Sequence, residues 1–253
     1  MYRAEHLQYD RFLPILARHL GEKGVVVDVG ANVGDTLAAM VGENRWLSYV
    51  CVEPDELFFS YLKRNLARLE RSNGLLNVVL IKALVGDGEK VASLSGRDGT
   101  KAAVVGGKGG IRSRPLDTIL SEGEYPLVKL IKSDVDGFDY EVIRSAMQIL
   151  SCSAPILFFE CQYFDREQRD SYESLIFDLM RLGYTRWVVF DNFGGVVLET
   201  SDVVVLRSLL GYVWAQNVGG SSRTIHYFDL LACAPKDDLA VSAALSDYQS
   251  EVQ

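Results

Sequence analysis

The sequence predicts an α/β fold, in which a mostly parallel sheet of seven strands carries helices on both faces. Short runs rich in β-branched and aromatic residues alternate with segments whose apolar residues recur at helical spacing. This alternation is typical of parallel strands joined by helices. The chain has 253 residues, of which 48% are hydrophobic and 24% charged. That is enough for one domain of this kind with a sizeable core.

Each element is predicted from its local pattern. Strands are predicted at 24–29, 48–53, 77–85, 127–133, 155–160, 184–190 and 225–232, and helices at 57–70, 140–150 and 172–182. The glycine-rich stretch 95–110 is predicted to be a mobile loop or a loose hairpin, and 217–222 a flexible connection.

Three parts of the chain are distinguished. Residues 1–23 are predicted to form a covering helical segment, 24–235 the main domain, and 236–253 a polar tail whose composition favours partial disorder. The apolar face of the covering helix would consist of Leu7, Phe12, Ile15 and Leu16.

Composition argues against several classes of partner. A net charge of −8 and the lack of a basic stripe argue against a nucleic-acid partner. No apolar run reaches the length of a membrane span, and the start of the chain has no signal-peptide core, so a cytoplasmic location is predicted. Cys51, Cys161 and Cys233 lie in or beside apolar runs, which favours buried, reduced thiols. Nothing in the sequence indicates an oligomeric state.

The run VVVDVGANVGDT at 25–36 reads as a buried strand, a glycine turn and the start of a helix. Such a turn brings backbone N–H groups towards a ligand. Its D-x-G-x-x-x-G spacing lacks the lysine of a P-loop and differs from the G-x-G-x-x-G of dinucleotide-binding proteins. An NAD-dependent oxidoreductase is therefore disfavoured. The turn resembles the first motif of S-adenosylmethionine (SAM) methyltransferases.

The next two strand ends would complete a nucleoside site. Glu53 follows the glycine turn by about 20 residues, where a carboxylate commonly binds a ribose diol, and Pro54 would offer an apolar surface to adenine. The alternative is that Glu53 only caps the helix that begins near Leu57. Ala83 would border the adenine, although a plain strand-to-turn transition explains it almost as well.

The fourth strand end carries a series of carboxylates. Helix-start chemistry explains those of Asp136, Asp139 and Glu141, because acids favour the positive end of a helix dipole. It explains Asp134 poorly, since Asp134 would still lie at the strand end and face the crevice.

The run LIKSDVDGFDYEVI at 130–143 closely resembles the L-I-K-x-D-V-E-G-x-E-x-x-V-[IL] signature of the FkbM-type methyltransferases. The turn at 25–35, the RPLDTIL segment at 114–120 and the strand PILFFE at 155–160 resemble further parts of that family. This sequence departs from the pattern at Asp136, where glutamate is usual, and at Asp35-Thr36, where aromatic or histidine residues are common. The second departure affects the contacts to the methionine end of SAM.

The resemblance implies a Rossmann-like class I methyltransferase fold, SAM as the cofactor, and methylation of a hydroxyl on a sugar or a polyketide-type natural product. The acceptor would thus be a small molecule or a glycan. A non-catalytic SAM-fold binding subunit is the alternative, although such a subunit would be expected to lose Glu53 or the glycines. Methylation of an amine is disfavoured, because the N-P-P-Y motif common in such enzymes is absent at the fourth strand end.

The predicted site residues follow from these motifs. The cofactor is expected to contact Asp28, Gly30, Ala31, Asn32, Gly34, Asp35, Thr36, Glu53, Pro54, Ala83 and Asp134. The candidates for a general base are Asp134, Glu160 and His226, and such a base would contribute roughly 10²–10⁴-fold to the rate. A Mg²⁺ ion on Asp134, Asp136 and Glu160 is the less favoured alternative, and no metal is predicted. The aromatic residues considered for stacking on a sugar are Tyr163, Phe164, Trp187, Phe193 and Trp214.

Overall fold

An eight-stranded, mostly parallel sheet forms the centre of the protein. The computed structural model describes residues 11–88, 91–95, 102–105, 110–123, 125, 127–218 and 225–252. The strands in chain order are β1 (Val25–Val29), β2 (Ser48–Val52), β3 (Val78–Ile81), β4 (Leu84–Val85), β5 (Val91–Ser95), β6 (Ala102–Val105), β7 (Ile111–Arg114), β8 (Val128–Ser133), β9 (Ile156–Cys161), β10 (Arg186–Asp191), β11 (Val196–Thr200) and β12 (Phe228–Cys233).

The main sheet has the order β3-β2-β1-β8-β9-β12-β10-β11. Strands β3, β2, β1, β8 and β9 pair in parallel, whereas β12 runs antiparallel to both of its neighbours, β9 and β10. The prediction of a mostly parallel α/β sheet is confirmed, but the strand count is eight rather than seven. The additional strand is β11, which forms a hairpin with β10 around a turn in which Asp191 Oδ1 accepts hydrogen bonds from the N–H groups of Phe193 and Gly195.

A small second sheet has the order β4-β7-β5-β6. Strands β5 and β6 pair antiparallel, as in the hairpin alternative predicted for 95–110. The remainder of that stretch, at 96–101 and 106–109, lies outside the described residues. The predicted connection at 217–222 also lies outside them, apart from the end of the last long helix before β12.

Helices cover both faces of the main sheet. They are α1 (Phe12–His19), α2 (Asp35–Glu43), α3 (Glu56–Asn73), α4 (Leu116–Ser121), α5 (Asp139–Arg144), α6 (Met147–Ser153), α7 (Arg166–Arg181), α8 (Val203–Val218) and α9 (Asp238–Val252). Alternate residues of β1 point to opposite faces, so Val27 packs in the core formed with α4 to α8. Val26 packs in the other core, formed with α1, α2, α3 and α9.

The two ends of the described chain pack against each other through α1 and α9. The composition after Lys236 favours partial disorder, but residues 238–252 form a helix with Val241, Ala244 and Tyr248 buried. The polar average of this segment hides an apolar stripe at helical spacing, and that stripe stabilises the helix against the core. Phe12 meets Tyr248 edge-on, with 5.5 Å between the ring centroids. Of the predicted apolar face of α1, Phe12, Ile15 and Leu16 are buried, while Leu7 lies outside the described residues.

Two further expectations concern cysteines and membranes. Cys51, Cys161 and Cys233 are buried and free, and Cys152 is exposed and free. Among the described residues, no helix combines the length and the apolar character needed to cross a bilayer.

Candidate active site

The predicted site residues meet at one edge of the main sheet, because the carboxyl ends of parallel strands share that edge. The ends of β1, β2, β8 and β9 place Asp28, Glu53, Asp134 and Glu160 there. Strand β12 is antiparallel, so its beginning lies at the same edge, where Phe228 pairs with Cys161.

The glycine turn after β1 is held tightly by the protein itself. Gly30 has φ +75°, and a Cβ at this position would lie 2.0 Å from the backbone oxygen of Asp134. The N–H groups of Gly30 and Ala31 both donate to the carbonyl of Val52, at 3.0 and 3.1 Å. The close approach of β8 therefore demands glycine here, and these two N–H groups are used within the fold.

The second glycine of the motif has a similar explanation. Gly34 has φ +86°, and a Cβ there would lie 2.6 Å from Leu62 Cδ1 on α3. Its N–H donates to the carbonyl of Ala31 at 2.8 Å. Asp35 and Thr36 begin α2; the former is exposed and the latter half-buried. The motif thus presents a shaped backbone turn rather than a row of unused N–H groups.

Glu53 joins this turn to the end of β2. The residue is 5% exposed. Its Oε2 accepts a hydrogen bond from the N–H of Asn32 at 2.8 Å, and its Oε1 accepts one from the N–H of Asp55 at 2.8 Å. Burial raises the pKa of Glu53, and the two backbone hydrogen bonds oppose that shift. A carboxylate has about four acceptor positions. The two backbone N–H groups use two of them, and the remaining two are the number that the hydroxyls of a ribose diol would need.

The alternative that Glu53 caps the following helix is wrong. Helix α3 has Asp55 as its N-cap residue, and the carboxylate of Asp55 accepts hydrogen bonds from the N–H groups of Leu57 and Phe58. Pro54, between the two acids, is half-buried. Ala83 lies at the same edge beyond β3 but is packed in the core, so a contact with adenine stays a prediction.

Asp28 is fully buried and forms an ion pair with Lys132 on the neighbouring strand. The two residues are register partners in β1 and β8, and 3.0 Å separate Lys132 Nζ from Asp28 Oδ1. Burial raises the pKa of Asp28, and the charge of Lys132 opposes the shift. Lys132 Nζ also donates to the carbonyl of Gly30 at 3.1 Å and lies 3.8 Å from Asp134 Oδ2.

The end of β8 separates an exposed carboxylate from a buried one. The side chain of Asp134 is 55% exposed, and its N–H donates to the carbonyl of Val29 at 3.1 Å. Asp139, at the start of α5, is fully buried, and its Oδ1 accepts a hydrogen bond from Ser133 Oγ at 2.5 Å. Burial raises the pKa of Asp139 to about 7, and the Ser133 hydrogen bond opposes that shift. Asp136 has φ +54°, and burial raises its pKa as well.

Glu160 at the end of β9 lies among other acids. The residue is 6% exposed, and its Oε2 has no hydrogen-bond partner within the described part of the chain. Burial raises the pKa of Glu160 well above its ordinary value, and the charges of Asp134, Asp139 and Asp229 raise it further. Asp229 is the register partner of Glu160 on β12.

His226 lies just before β12 at the same edge. Its imidazole is exposed, and its backbone N–H donates to Oδ1 of the buried Asn192 at 3.1 Å. Strand β9 lies between β12 and β8, so the strand that His226 precedes and the strand that Asp134 follows are two strand spacings apart, about 10 Å across the sheet. The structure therefore places His226 at the rim of the site, away from the Asp134 side.

The aromatic candidates for sugar stacking differ in exposure. Tyr163 and Trp187 are buried in the core, and Phe193 and Trp214 are partly buried. Phe164 is 66% exposed. A Cβ on Gly137 would lie 3.0 Å from the Phe164 ring, so this ring covers the turn after β8.

Two residues at the site were not given a role from the sequence. Lys132 could have been noticed, because a charged residue in a predicted buried strand demands a partner. Gln168 is the other: its Oε1 accepts from the N–H of Phe164 at 2.7 Å and its Nε2 donates to the carbonyl of Gly137 at 3.4 Å. It joins the loops after β8 and β9, and its sequence signal is the D-x-x-Q spacing from Asp165, which is typical of a helix start. Within the described ranges, no three acidic, histidine or cysteine side chains are placed to hold a metal ion.

Comparisons with known proteins identify the family. Residues 28–186 match the model of the methyltransferase FkbM domain, which is more than half of the chain. No curated protein matches the sequence.

Several solved structures resemble this one. Methyltransferase FkbM from Methylobacillus flagellatus is 19% identical with a TM-score of 0.45, and the match covers 64% of this chain and 38% of that one. A putative O-methyltransferase from Klebsiella pneumoniae is 14% identical with a TM-score of 0.48, covering 89% and 79%. The O-methyltransferase TomG from Streptomyces achromogenes, solved with SAM, is 11% identical with a TM-score of 0.49, covering 89% and 79%.

The chain thus spans little more than a third of the length of the M. flagellatus protein. The match to the family covers the glycine turn, Glu53, the Asp134 motif and the Glu160 strand together. The chain therefore belongs to the FkbM methyltransferase family, and its domain is a Rossmann-like, SAM-dependent methyltransferase.

Proposed function

We propose that the protein transfers the methyl group of SAM to a hydroxyl of a sugar, with Asp134 as the general base. The main support for this proposal is the position of Asp134. Its backbone oxygen lies where a Cβ at Gly30 would be, so the residue lies directly beside the glycine turn, and its carboxylate is exposed. A base in this position would stand next to the reacting end of the cofactor.

The residues of the edge fit the cofactor. Glu53 has acceptor positions for the ribose, and the exposed carboxylate of Asp134 places a negative charge beside the glycine turn. SAM supplies an electrophilic methyl group on a cationic sulfur, which such a charge favours. The remaining task of the protein is to align the acceptor oxygen with that group, and alignment of this kind is worth up to about 7–11 kcal/mol.

Asp134 is a better candidate for the base than the other two residues. Burial and the neighbouring acids raise the pKa of Glu160, which favours its protonated form, and a protonated carboxyl can donate a hydrogen bond but cannot take a proton. His226 lies about two strand spacings away across the sheet, which is about 10 Å. Of the three candidates, Asp134 is the one that combines an exposed carboxylate with a backbone packed against the glycine turn.

A sugar fits the rest of the edge. Its hydroxyls would donate to carboxylates such as that of Asp136, and its C–H face would stack on the exposed ring of Phe164. Gln168 fixes the position of Phe164 relative to the turn at Gly137. This combination of carboxylates with one exposed aromatic ring supports a sugar more than a largely apolar polyketide.

The role of Asp134 is tested by Asp134→Asn, with Asp136→Asn as the matched control. Asn tolerates a positive φ about as well as Asp, so the control preserves the turn at Asp136. We expect Asp134→Asn to bind S-adenosylhomocysteine normally by calorimetry but to lose roughly 10²–10⁴-fold in turnover. The control should lose less than tenfold. Full turnover in Asp134→Asn would exclude it as the base.

The acceptor class is tested with a panel of hydroxyl compounds. The purified protein and SAM are incubated with monosaccharides, nucleotide sugars, oligosaccharides and hydroxylated macrolactones, and release of S-adenosylhomocysteine is measured. We expect release with one or more sugars and with no macrolactone. Release with macrolactones alone would contradict the sugar assignment while leaving O-methylation in place.

A further inference from the structure

Lys132 is the cation that contacts both the cofactor turn and the proposed base. It lies on β8, directly after the buried apolar pair Leu130 and Ile131, and it is 5% exposed. Its Nζ lies 3.0 Å from Asp28 Oδ1, 3.1 Å from the carbonyl oxygen of Gly30 and 3.8 Å from Asp134 Oδ2. One ammonium group therefore contacts the end of β1, the glycine turn and the end of β8.

A buried ammonium group is costly unless it is paired and hydrogen-bonded, and a merely structural reading is that Lys132 neutralises Asp28. That reading accounts for the ion pair with Asp28 and for the hydrogen bond to the carbonyl of Gly30, because a buried ammonium group needs acceptors for its N–H groups. It does not account for the approach to the exposed carboxylate of Asp134. A lysine that only neutralised Asp28 would not need that third contact.

We propose that Lys132 is a positioning residue for methyl transfer, which holds the Gly30 carbonyl and the Asp134 carboxylate in fixed relation to each other. This inference rests on the proposed role of Asp134 as the base. The backbone supports the same arrangement, because the N–H of Asp134 donates to the carbonyl of Val29, next to Gly30. The ammonium adds control over the carboxylate, which the backbone contact does not reach.

The central variant is the double substitution Asp28→Asn with Lys132→Met. It removes both buried charges together, so the protein is not left with an uncompensated carboxylate. If Lys132 only neutralises Asp28, this variant keeps its turnover. Under the proposal, it folds and binds S-adenosylhomocysteine, but its kcat falls by about tenfold or more, as expected for loss of hydrogen bonds to a charged group. Unchanged kcat in the folded double variant would overturn the proposal.

A mutant cycle shows whether Lys132 acts through Asp134. Kinetics are measured with the acceptor found in the panel, of whatever class, for the double variant, for Asp134→Asn and for the combination. We expect the combination to be no slower than Asp134→Asn alone, since the residue that Lys132 positions is already disabled. Losses that multiply would overturn the proposal. Full activity of Asp134→Asn alone would instead contradict the proposed base, so the two failures differ.

Amide hydrogen exchange gives a readout that needs no acceptor. In the double variant, residues 30–34 and 134–137 should exchange about tenfold faster, because the ammonium no longer holds the turn. Residues 26–29 in the middle of the sheet should not change. Lys132→Arg retains a cation, so it should restore part of the protection at 30–34. Identical exchange of the turn in the double variant and the natural protein would overturn the proposal.

Discussion

Glu53 and Glu160 end two strands of the same sheet, and their exposed fractions are 5% and 6%. Their surroundings are opposite. The carboxylate of Glu53 accepts two backbone N–H groups, whereas Oε2 of Glu160 has no partner among the described residues. Burial raises the pKa of both, but backbone hydrogen bonds oppose the shift at Glu53 and neighbouring acids increase it at Glu160.

The comparison shows that the two halves of the edge are built differently. On the β1–β2 half, backbone groups and carboxylates are joined to one another, so the shape of the cofactor turn exists before any ligand binds. On the β8–β9–β12 half, Asp134 is exposed, and an oxygen of Glu160 lacks a hydrogen-bond partner in the part of the chain that the structure describes. Unpaired buried polar atoms are costly, and they are retained mainly where a ligand or a proton completes them. The acceptor is the natural candidate.

The largest expected effect comes from Gly30→Ala, which changes the glycine turn on the β1–β2 half of the edge. A Cβ there would lie 2.0 Å from a backbone oxygen of Asp134, so β1 and β8 must separate. We expect a loss of about 3 kcal/mol or more in the free energy of unfolding, from overpacking and backbone strain together. Urea denaturation followed by circular dichroism measures it.

Gly21→Ala is the matched control for that prediction. Gly21 has φ +76°, almost the value of Gly30, but a Cβ there would meet nothing within 4 Å. Its cost should be limited to the positive φ, at about 1–2 kcal/mol. Equal losses in the two variants would show that the approach of β8 does not constrain the turn.

A medium effect is expected from the isosteric pair Glu53→Gln and Glu160→Gln. An amide at Glu53 turns one N–H acceptor into a donor, so we expect about 1.5–3 kcal/mol of lost stability and a loss of tenfold or more in affinity for S-adenosylhomocysteine. Glu160→Gln should leave stability unchanged or raised, since a neutral amide replaces a buried carboxyl whose ionised form is disfavoured by burial and by the neighbouring acids. Thermal unfolding and calorimetry compare them. Destabilisation by Glu160→Gln as large as that by Glu53→Gln would show that the fold depends equally on the two carboxyl groups.

A separate expected effect is the pH dependence of stability caused by Asp139. Its pKa is about 7 in the folded protein and about 3.9 in an unfolded chain, so the folded state holds a proton that the unfolded state releases. Its contribution to stability is therefore fully present below about pH 4 and is lost as the pH rises towards 7. Asp139→Asn does not titrate, so its stability should decline less over this window, by on the order of a few kcal/mol.

The measurement is urea denaturation at a series of pH values from 4 to 8, reported as the difference between Asp139→Asn and the natural protein. Ser133→Ala is the companion variant. Since the Ser133 hydroxyl lowers the pKa of Asp139, its removal should move the window to higher pH. A difference that does not vary with pH would show that Asp139 titrates normally.

Much of the arrangement followed from the sequence because parallel strands share their carboxyl edge. Asp28, Glu53, Asp134 and Glu160 each end a predicted strand, and all four lie at that edge in the structure. What they contact there could not be predicted. The pairing of Lys132 with Asp28 depends on β8 lying beside β1, and strand order cannot be read from the sequence.

Two features of the fold were missed for different reasons. Helix α9 was missed because the overall composition of its segment is polar, although the buried residues Val241, Ala244 and Tyr248 recur at helical spacing. Strand β11 follows a glycine turn whose position was evident. Its sequence VVLET lacks the alternation of apolar and polar residues that marks a strand, and three of its five residues are exposed at the edge of the sheet.

The position of β12 has a consequence for the order in which the protein can assemble. It is the last strand along the chain, yet it lies between β9 and β10. On the ribosome, the hairpin of β10 and β11 has no neighbour in the sheet until Phe228–Cys233 has emerged from the exit tunnel. The nascent chain must then thread this strand into a gap and bring Asp229 beside Glu160. The β8–β9–β12 half of the edge is thus completed last, after the β1–β2 half has had time to fold.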